Sequence, residues 1–265
     1  MSRTAVYTGL VLRCRQSGES NSEVTLLTAE EGIIKTTVFG GPKSKLRAHS
    51  APYNSGQVWI YRDKAKDYTH GISCAKLSDF DVQSWRAGLR ELYERTMAAS
   101  AVAETILTSH GGGGEWGTAL KTAVSTLDAL ENADEELCHR ILVHFLWRWA
   151  GFLGIQPDIN NCSECGKPIG DDLLLFDTKE GSSVCDACPL RGSHSAFHTP
   201  GRIGDSARIL RINPGCRRWL SVTAELEPSV LNRYSMDIKS FNEAKALVTS
   251  IMAGALGKRL NSWDW

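Results

Sequence analysis

Over the first 80 residues, apolar and β-branched side chains come in short runs separated by clusters of Gly, Ser and Asn, the pattern of strands and turns. The runs Ala5–Arg15, Glu23–Thr28 and Gly32–Phe39 are rich in Val, Ile, Leu and Thr. Two more, Gln57–Arg62 and Tyr68–Lys76, follow the turn-forming stretch Gly40-Gly41-Pro42. In Val58-Trp59-Ile60-Tyr61 the alternation puts Val58 and Ile60 on one face and Trp59 and Tyr61 on the other. Five short strands in this length predict a small barrel, either an OB-fold or an SH3-like barrel.

From about Val82 the period changes. Val82–His110 holds few helix breakers, and Leu92, Ala99, Val102, Ala103 and Ile106 recur at helical spacing. Gly111 to Gly114 force a turn, and a second helix is predicted over Trp116–Leu130. Asp134 is a candidate N-cap for a third, with Glu135 and Glu136 well placed against the helix dipole. That helix carries Leu137, Ile141, Phe145, Trp149 and Phe152 along one stripe, with Leu142, Leu146 and Leu153 beside it. So wide an apolar surface predicts a central, buried helix, ended by Gly154 and Pro157. The fold class expected is α+β, with a barrel over residues 1–80 and a helical domain over 81–265.

Hydrophobic residues make up 42% and charged residues 23% of the 265 positions, which excludes a wholly disordered, collagen-like or coiled-coil chain. No apolar run approaches the roughly 18 residues of a membrane span; the richest, Ile141 to Ile155, is interrupted by His144 and Arg148. Met1-Ser2-Arg3-Thr4 leads into a strand-like run rather than a signal-peptide apolar region. The expectation is a soluble, cytoplasmic protein. The zero net charge hides a division: residues 1–80 carry +4, 81–160 carry −5, 161–201 carry −3 and 202–265 carry +4. Basic ends around an acidic middle point weakly to a polyanionic partner.

Cys162-x-x-Cys165 and Cys185-x-x-Cys188 have the spacing of a four-cysteine zinc site. Two residues between ligands let one tight knuckle aim both sulfurs at one ion, and two knuckles complete a tetrahedron. Leu173–Phe176 and Ser182–Val184, between the pairs, suggest two short strands of a zinc ribbon at about residues 160–190. A full set of four protein ligands makes the Zn2+ structural. Cys14, Cys74, Cys138 and Cys216 have no comparable partner and are read as buried small side chains. His194 and His198 are read as part of a polar loop.

No catalytic motif emerges. Gly40-Gly41-Pro42-Lys43-Ser44 departs from a phosphate loop because Pro42 replaces the glycine before the lysine. The Gly111–Gly114 run lacks a following Lys-Ser/Thr pair. No His is followed two residues later by Glu, and no Gly-x-Ser-x-Gly elbow occurs. A binding protein, not an enzyme, is expected.

In order along the chain, Gly9-Leu10-Val11-Leu12-Arg13, Gly18-Glu19-Ser20, Leu26-Leu27-Thr28, Glu31-Gly32, Gly40-Gly41-Pro42-Lys43-Ser44-Lys45, Ala51-Pro52-Tyr53 and Gly151-Phe152-Leu153-Gly154-Ile155-Gln156-Pro157, followed by the cysteine pairs, resemble the bacterial RecO family of DNA repair and recombination mediators. His49-Ser50 departs from the family's usual Leu-Gln, and residues 202–265 match it weakly. The resemblance implies an N-terminal OB-fold, a helical domain and an inserted zinc ribbon. It further implies binding of single- and double-stranded DNA, strand annealing, and assistance to RecA, with RecR, in replacing single-strand-binding protein (SSB). A zinc-ribbon accessory protein of transcription or translation is the alternative.

On that footing Arg13, Arg15, Lys35, Lys43, Lys45 and Arg47 are expected to form a DNA surface. Arg13 and Arg15 share a strand face, and the last three lie in or beside a flexible loop. Arg208, Arg211, Arg217 and Arg218 are the fallback site. Trp59 and Tyr61 are candidate stacking residues, with packing against the helical domain the other reading. The acidic, partly apolar SSB C-terminal tail is expected on the third helix, at Arg140 and Arg148 beside Ile141, Phe145 and Trp149, with Lys121 completing the clamp. Localisation would be cytoplasmic and nucleoid-associated, with no membrane partner.

Overall fold

The computed structural model describes residues 4–41, 44–62, 75–188, 209–263 and 265. Lys43, Cys74, His194, His198, Arg208 and all but the end of Tyr68–Lys76 lie outside the described residues. The chain divides into two compact units, one running to Cys138 together with Trp265, the other beginning at His139.

The first unit is built on a closed five-stranded barrel in the order β1-β2-β3-β5-β4. Its strands are β1 (Thr4–Ser17), β2 (Asn21–Thr28), β3 (Gly32–Val38), β4 (Ser55–Arg62) and β5 (Ala75–Ser84), with a short helix α1 (Lys45–His49) between β3 and β4. All neighbours are antiparallel except β3 and β5, and the architecture is that of an OB-fold. Alternate residues fill the interior: Tyr7, Val11, Val24, Leu26, Ile34, Val38, Val58, Ile60, Leu77 and Phe80 form one core, with Leu46 of α1 packed against it. The expected strands Ala5–Arg15, Glu23–Thr28, Gly32–Phe39 and Gln57–Arg62 match β1 to β4 closely. The fifth does not end at Lys76 but runs to Ser84. A register shift between Trp59 and Ile60 leaves an extra residue on β5, so Leu77 and Phe80 both face inward although they are three apart. That bulge breaks the alternation which would have announced a strand.

Helices α2 (Tyr93–Thr108) and α3 (Trp116–Leu130) complete the unit, so the first helix starts at Tyr93 rather than Val82. They pack on β1 and β2. Arg86, itself almost wholly buried, fastens this seam: Nε donates to Asp128 of α3 at 2.7 Å, and Nη1 donates to the Tyr53 carbonyl at 2.6 Å and to Ser55 Oγ at 3.0 Å. Tyr53 Oη meets Ser100 Oγ of α2 at 3.0 Å, and Arg90 donates to the Pro52 carbonyl. Ala51-Pro52-Tyr53 is therefore the joint between barrel and helices. Gly32, at φ +69°, abuts Trp116 so closely that a Cβ would lie 2.7 Å from the indole. Gly111 to Gly114 all have positive φ, from 76° to 119°, a backbone path that side chains rarely follow.

Helix α4 (Glu135–Phe152) begins with Asp134 accepting from Leu137 N–H at 2.8 Å, the expected N-cap. In the second unit its Ile141, Leu142, Phe145, Leu146 and Trp149 are fully buried. Beyond the helix end, the Ile155 N–H reaches the Ala150 carbonyl and Gln156 Nε2 reaches that of Trp147. A three-stranded sheet follows, ordered β7-β6-β8, from β6 (Leu174–Asp177), β7 (Ser182–Cys185) and β8 (Ile209–Ile212). Two strands were expected; the third arrives from far along the chain. Helices α5 (Pro214–Thr223) and α6 (Ile238–Leu256) close the unit. They are capped by Asn213 and Asp237, whose side chains accept from Cys216 and Ser240 N–H. His144 Nε2 lies 2.9 Å from the Thr223 carbonyl. A carbonyl can only accept, so Nε2 carries the proton and α4 is tied to the end of α5.

Candidate nucleic-acid interface and metal centre

The sulfurs of Cys162, Cys165, Cys185 and Cys188 all lie within 4.8 Å of one another. Tetrahedral bonds of about 2.3 Å to zinc place sulfurs about 3.8 Å apart, so the cluster has the size and donor set of a metal site and could hold an ion. Local hydrogen bonds shape it. Gly166 N–H closes the first knuckle on the Cys162 carbonyl at 2.9 Å, Ser163 N–H reaches across to Ser183 O at 2.8 Å, and Cys185 N–H points at Cys162 Sγ at 3.4 Å. Burial opposes charge on Cys162, but backbone N–H groups of Cys185, Cys165 and Glu164 outweigh it and bring its pKa down to about 6. Hydrogen bonding with the Cys185 and Cys165 thiols pushes Cys188 up to about 12. Cys162 thus takes negative charge first while Cys188 holds its proton, a competition that a dication removes.

Arg217 belongs to the frame of this centre, not to a DNA surface. It is buried, and its guanidinium donates to the carbonyls of Ile159 (3.2 Å), Gly170 (2.5 Å) and Asp172 (2.8 Å), holding the ribbon's flank to α5. Arg218 is exposed and pairs with Asp171 at 3.0 Å, and Arg211 is exposed on β8.

On the barrel, the ladders place Arg13 opposite Thr25 and Thr25 opposite Lys35, so one row crosses the outer face of β1, β2 and β3. Arg15 is in the next row, opposite Glu23. Arg15 and Lys35 are exposed, whereas Arg13 is half-buried and its Nε has no hydrogen-bond partner among the described residues. Further along the same face, Leu10, Leu12 and Leu27 are buried where α2 and α3 pack. Lys45 and Arg47 form a separate group on the helix α1, which closely follows Lys43. Leu46 anchors it between them, and Lys45 is exposed.

Two family profiles match in tandem: Recombination protein O N terminal over residues 1–78 and Recombination protein O C terminal over residues 90–264. The chain belongs to the RecO family. The C-terminal match includes the segment from 202 onward, whose motifs resemble the family weakly. Among curated RecO relatives, each named a DNA repair protein, that of Desulfitobacterium hafniense strain DSM 10664 is 26% identical over 263 residues, covering 96% of this chain and 86% of its own. That of Anaeromyxobacter dehalogenans strain 2CP-C is 28% identical over 255 residues, covering 96% and 92%, and that of Streptomyces avermitilis is 29% identical over 189 residues, covering 70% and 74%.

In this RecO-family chain the third helix differs from the expected docking groove. Ile141, Phe145 and Trp149 are core residues with no exposed surface, and His144, between the arginines in the i, i+4 series, is buried as well. Arg140 and Arg148 are half-buried, and Arg148 reaches the Leu226 carbonyl at 3.4 Å. Lys121 is exposed on α3 of the first unit. Among the described residues no helix is long and apolar enough to cross a membrane.

Proposed function

We propose that this protein is a recombination mediator. It binds single- and double-stranded DNA, anneals complementary strands and, with RecR, helps load RecA onto single strands coated with SSB. The observation that carries this reading is a closed OB-fold barrel with Arg13, Arg15 and Lys35 in adjacent rows on one outer face. Annealing needs no bond chemistry, so the protein acts without a catalytic centre. It must offset repulsion between two phosphate backbones while leaving base edges free to pair, and Lys and Arg do this by displacing condensed counterions. The ion of the four-cysteine centre is zinc, and it organises the ribbon without touching DNA. With the apolar stripe of α4 buried, Arg140 and Arg148 offer the SSB tail a cationic edge rather than a groove. The protein works in the cytoplasm, at the nucleoid.

The test is annealing of complementary oligonucleotides, bare and SSB-coated, across a salt series. The parent accelerates annealing of both. R13E/R15E/K35E weakens binding to every sequence alike and lowers the slope of log affinity against log salt by up to about 3. Failure of the parent to accelerate annealing at low salt overturns the proposal; a triple variant with parental affinity and slope removes the DNA site from this face.

A further inference from the structure

The pairing ladders of the barrel join into a belt. Arg15 stands opposite Glu23, Glu23 opposite Thr37, Thr37 beside Lys76, and Lys76 opposite Tyr61. Directly paired residues project to the same side, so these five mark one line round the outside, from the cations of β1 across β2, β3 and β5 to β4. With strands about 4.8 Å apart, the line is about 19 Å long.

Its far end is unusual for a protein surface. Phe39, just past β3, is 52% exposed, and Lys76 Nζ sits over its ring, 5.4 Å from the centroid. Tyr61 is half-buried beside Lys76, and the next row holds half-buried Trp59 opposite Val6, itself 50% exposed. Phe39 and Val6 thus leave apolar surface in water beside an exposed lysine, with Tyr61 and Trp59 half-buried between them. The face is also polarised: Asp79 opposite Trp59 and Asp81 opposite Gln57 make it acidic from that row onward, which favours the Lys76 end for a polyanion. Arg62, held by Glu31, is spent on the barrel itself.

We propose that Tyr61 and Phe39 form a base-stacking platform for single-stranded DNA, with Lys76 as its phosphate contact and the belt leading the strand to Arg15. The inference rests on the DNA-binding reading above and adds a second chemistry to it. Aromatic faces accept any base, which suits a protein that handles strands of every sequence. The contact of Lys76 with Phe39 is no obstacle, since an exposed cation–π contact is weaker than base stacking and the lysine stem is free to swing to a phosphate. Duplex DNA keeps its base faces covered, so it gains nothing from the platform. Glu23, the one carboxylate of the belt, faces Arg15 and weakens phosphate binding midway, which leaves stacking to hold the strand at the far end.

The experiment compares a dT oligonucleotide with a duplex of equal length, by fluorescence anisotropy at several salt concentrations. F39A/Y61A should lose at least tenfold in affinity for oligo(dT), keep duplex affinity within about twofold, and leave the salt slope unchanged, because no charge is removed. F39Y/Y61F should behave as the parent. A thermal melt like the parent's shows that the alanine variant is folded; if it is not, F39Y/Y61F and the singly substituted F39A, at an exposed position, carry the test. A folded alanine variant that binds oligo(dT) as tightly as the parent overturns the platform. A parent that binds neither DNA refutes instead the underlying reading, and shows it before any variant is made.

Discussion

The barrel closes round an apolar core that runs from Tyr7 and Val11 through Leu26 and Ile60 to Phe80, whereas the ribbon's three four-residue strands bury five apolar side chains, Leu174, Leu175, Phe176, Val184 and Ile212, together with the polar Asp177 and Ser183. Every barrel strand has two hydrogen-bonded neighbours; in the ribbon sheet, among the described residues, β7 and β8 each pair only with β6. Two small β structures in one chain thus reach order by different means. One closes on an apolar core, and the other brings together four sulfurs that could hold an ion as a cross-link. The difference teaches where each is vulnerable: the barrel to lost methylene groups, the ribbon to lost metal or added protons.

The largest effect is expected from removing the metal. Apparent metal-binding free energies of small zinc domains are about 10–16 kcal/mol, comparable with all that burying the ribbon's five apolar side chains supplies at about 1.5–3 kcal/mol each. Chelation, or Cys165→Ala, should release the ion and open amide exchange over roughly residues 160–188, with barrel amides still protected. Elemental analysis and hydrogen exchange read both halves; purified protein without metal and with a protected ribbon would erase the contrast. Next comes Phe80→Ala, which empties a large site in the barrel core and should cost about 3–5 kcal/mol. Metal content should not change, and loss of the ion on this substitution would mean that the two structures are not separately held.

Acid should separate the units by a smaller margin. Burial lowers the pKa of His144 from 6.5 to about 4. Between these values the unfolded chain binds the extra proton and the native state does not, so stability falls as pH drops from 6.5 toward 4, by about 3 kcal/mol in all. In the barrel, the hydrogen bond from Arg62 holds the Glu31 carboxyl below its usual 4.5, with Tyr7 Oη donating to it as well. That contribution is complete above 4.5 and fades only below it; being part-exposed, it is small. Denaturant melts of the parent and H144Q at pH 7 and 5 should show the parent losing more, with the thiolate effects common to both cancelling. Equal losses would place the acid sensitivity elsewhere.

Much of this was legible in the sequence because local rules governed it. Strands β1 to β4, the N-cap Asp134, the glycine turn and the paired cysteines each announce themselves within a few residues. What was hidden depended on partners far along the chain. The bulge in β5 scrambled its alternation, β8 pairs with a strand more than thirty residues earlier, and the arginines of α5 divide into a buried clasp and a surface pair that composition cannot tell apart. The stripe on α4 was correctly read as apolar, but its burial excludes the groove built on it. Asn213-Pro214 and Asp237 were available as helix-start signals for α5 and α6.

Closure of the barrel has a consequence for how the chain comes off the ribosome. β1 pairs with β4 and β3 with β5, so no sub-set of strands completes the ring, and folding must wait until residue 84 has emerged. These pairings are distant in sequence, which makes such a step slow. The ribbon waits longer: Cys188 is in place well before β8 arrives at residues 209–212. Through that interval the sulfurs can find a metal while the sheet still lacks its third strand. Synthesis therefore delivers the barrel first and the ribbon after it.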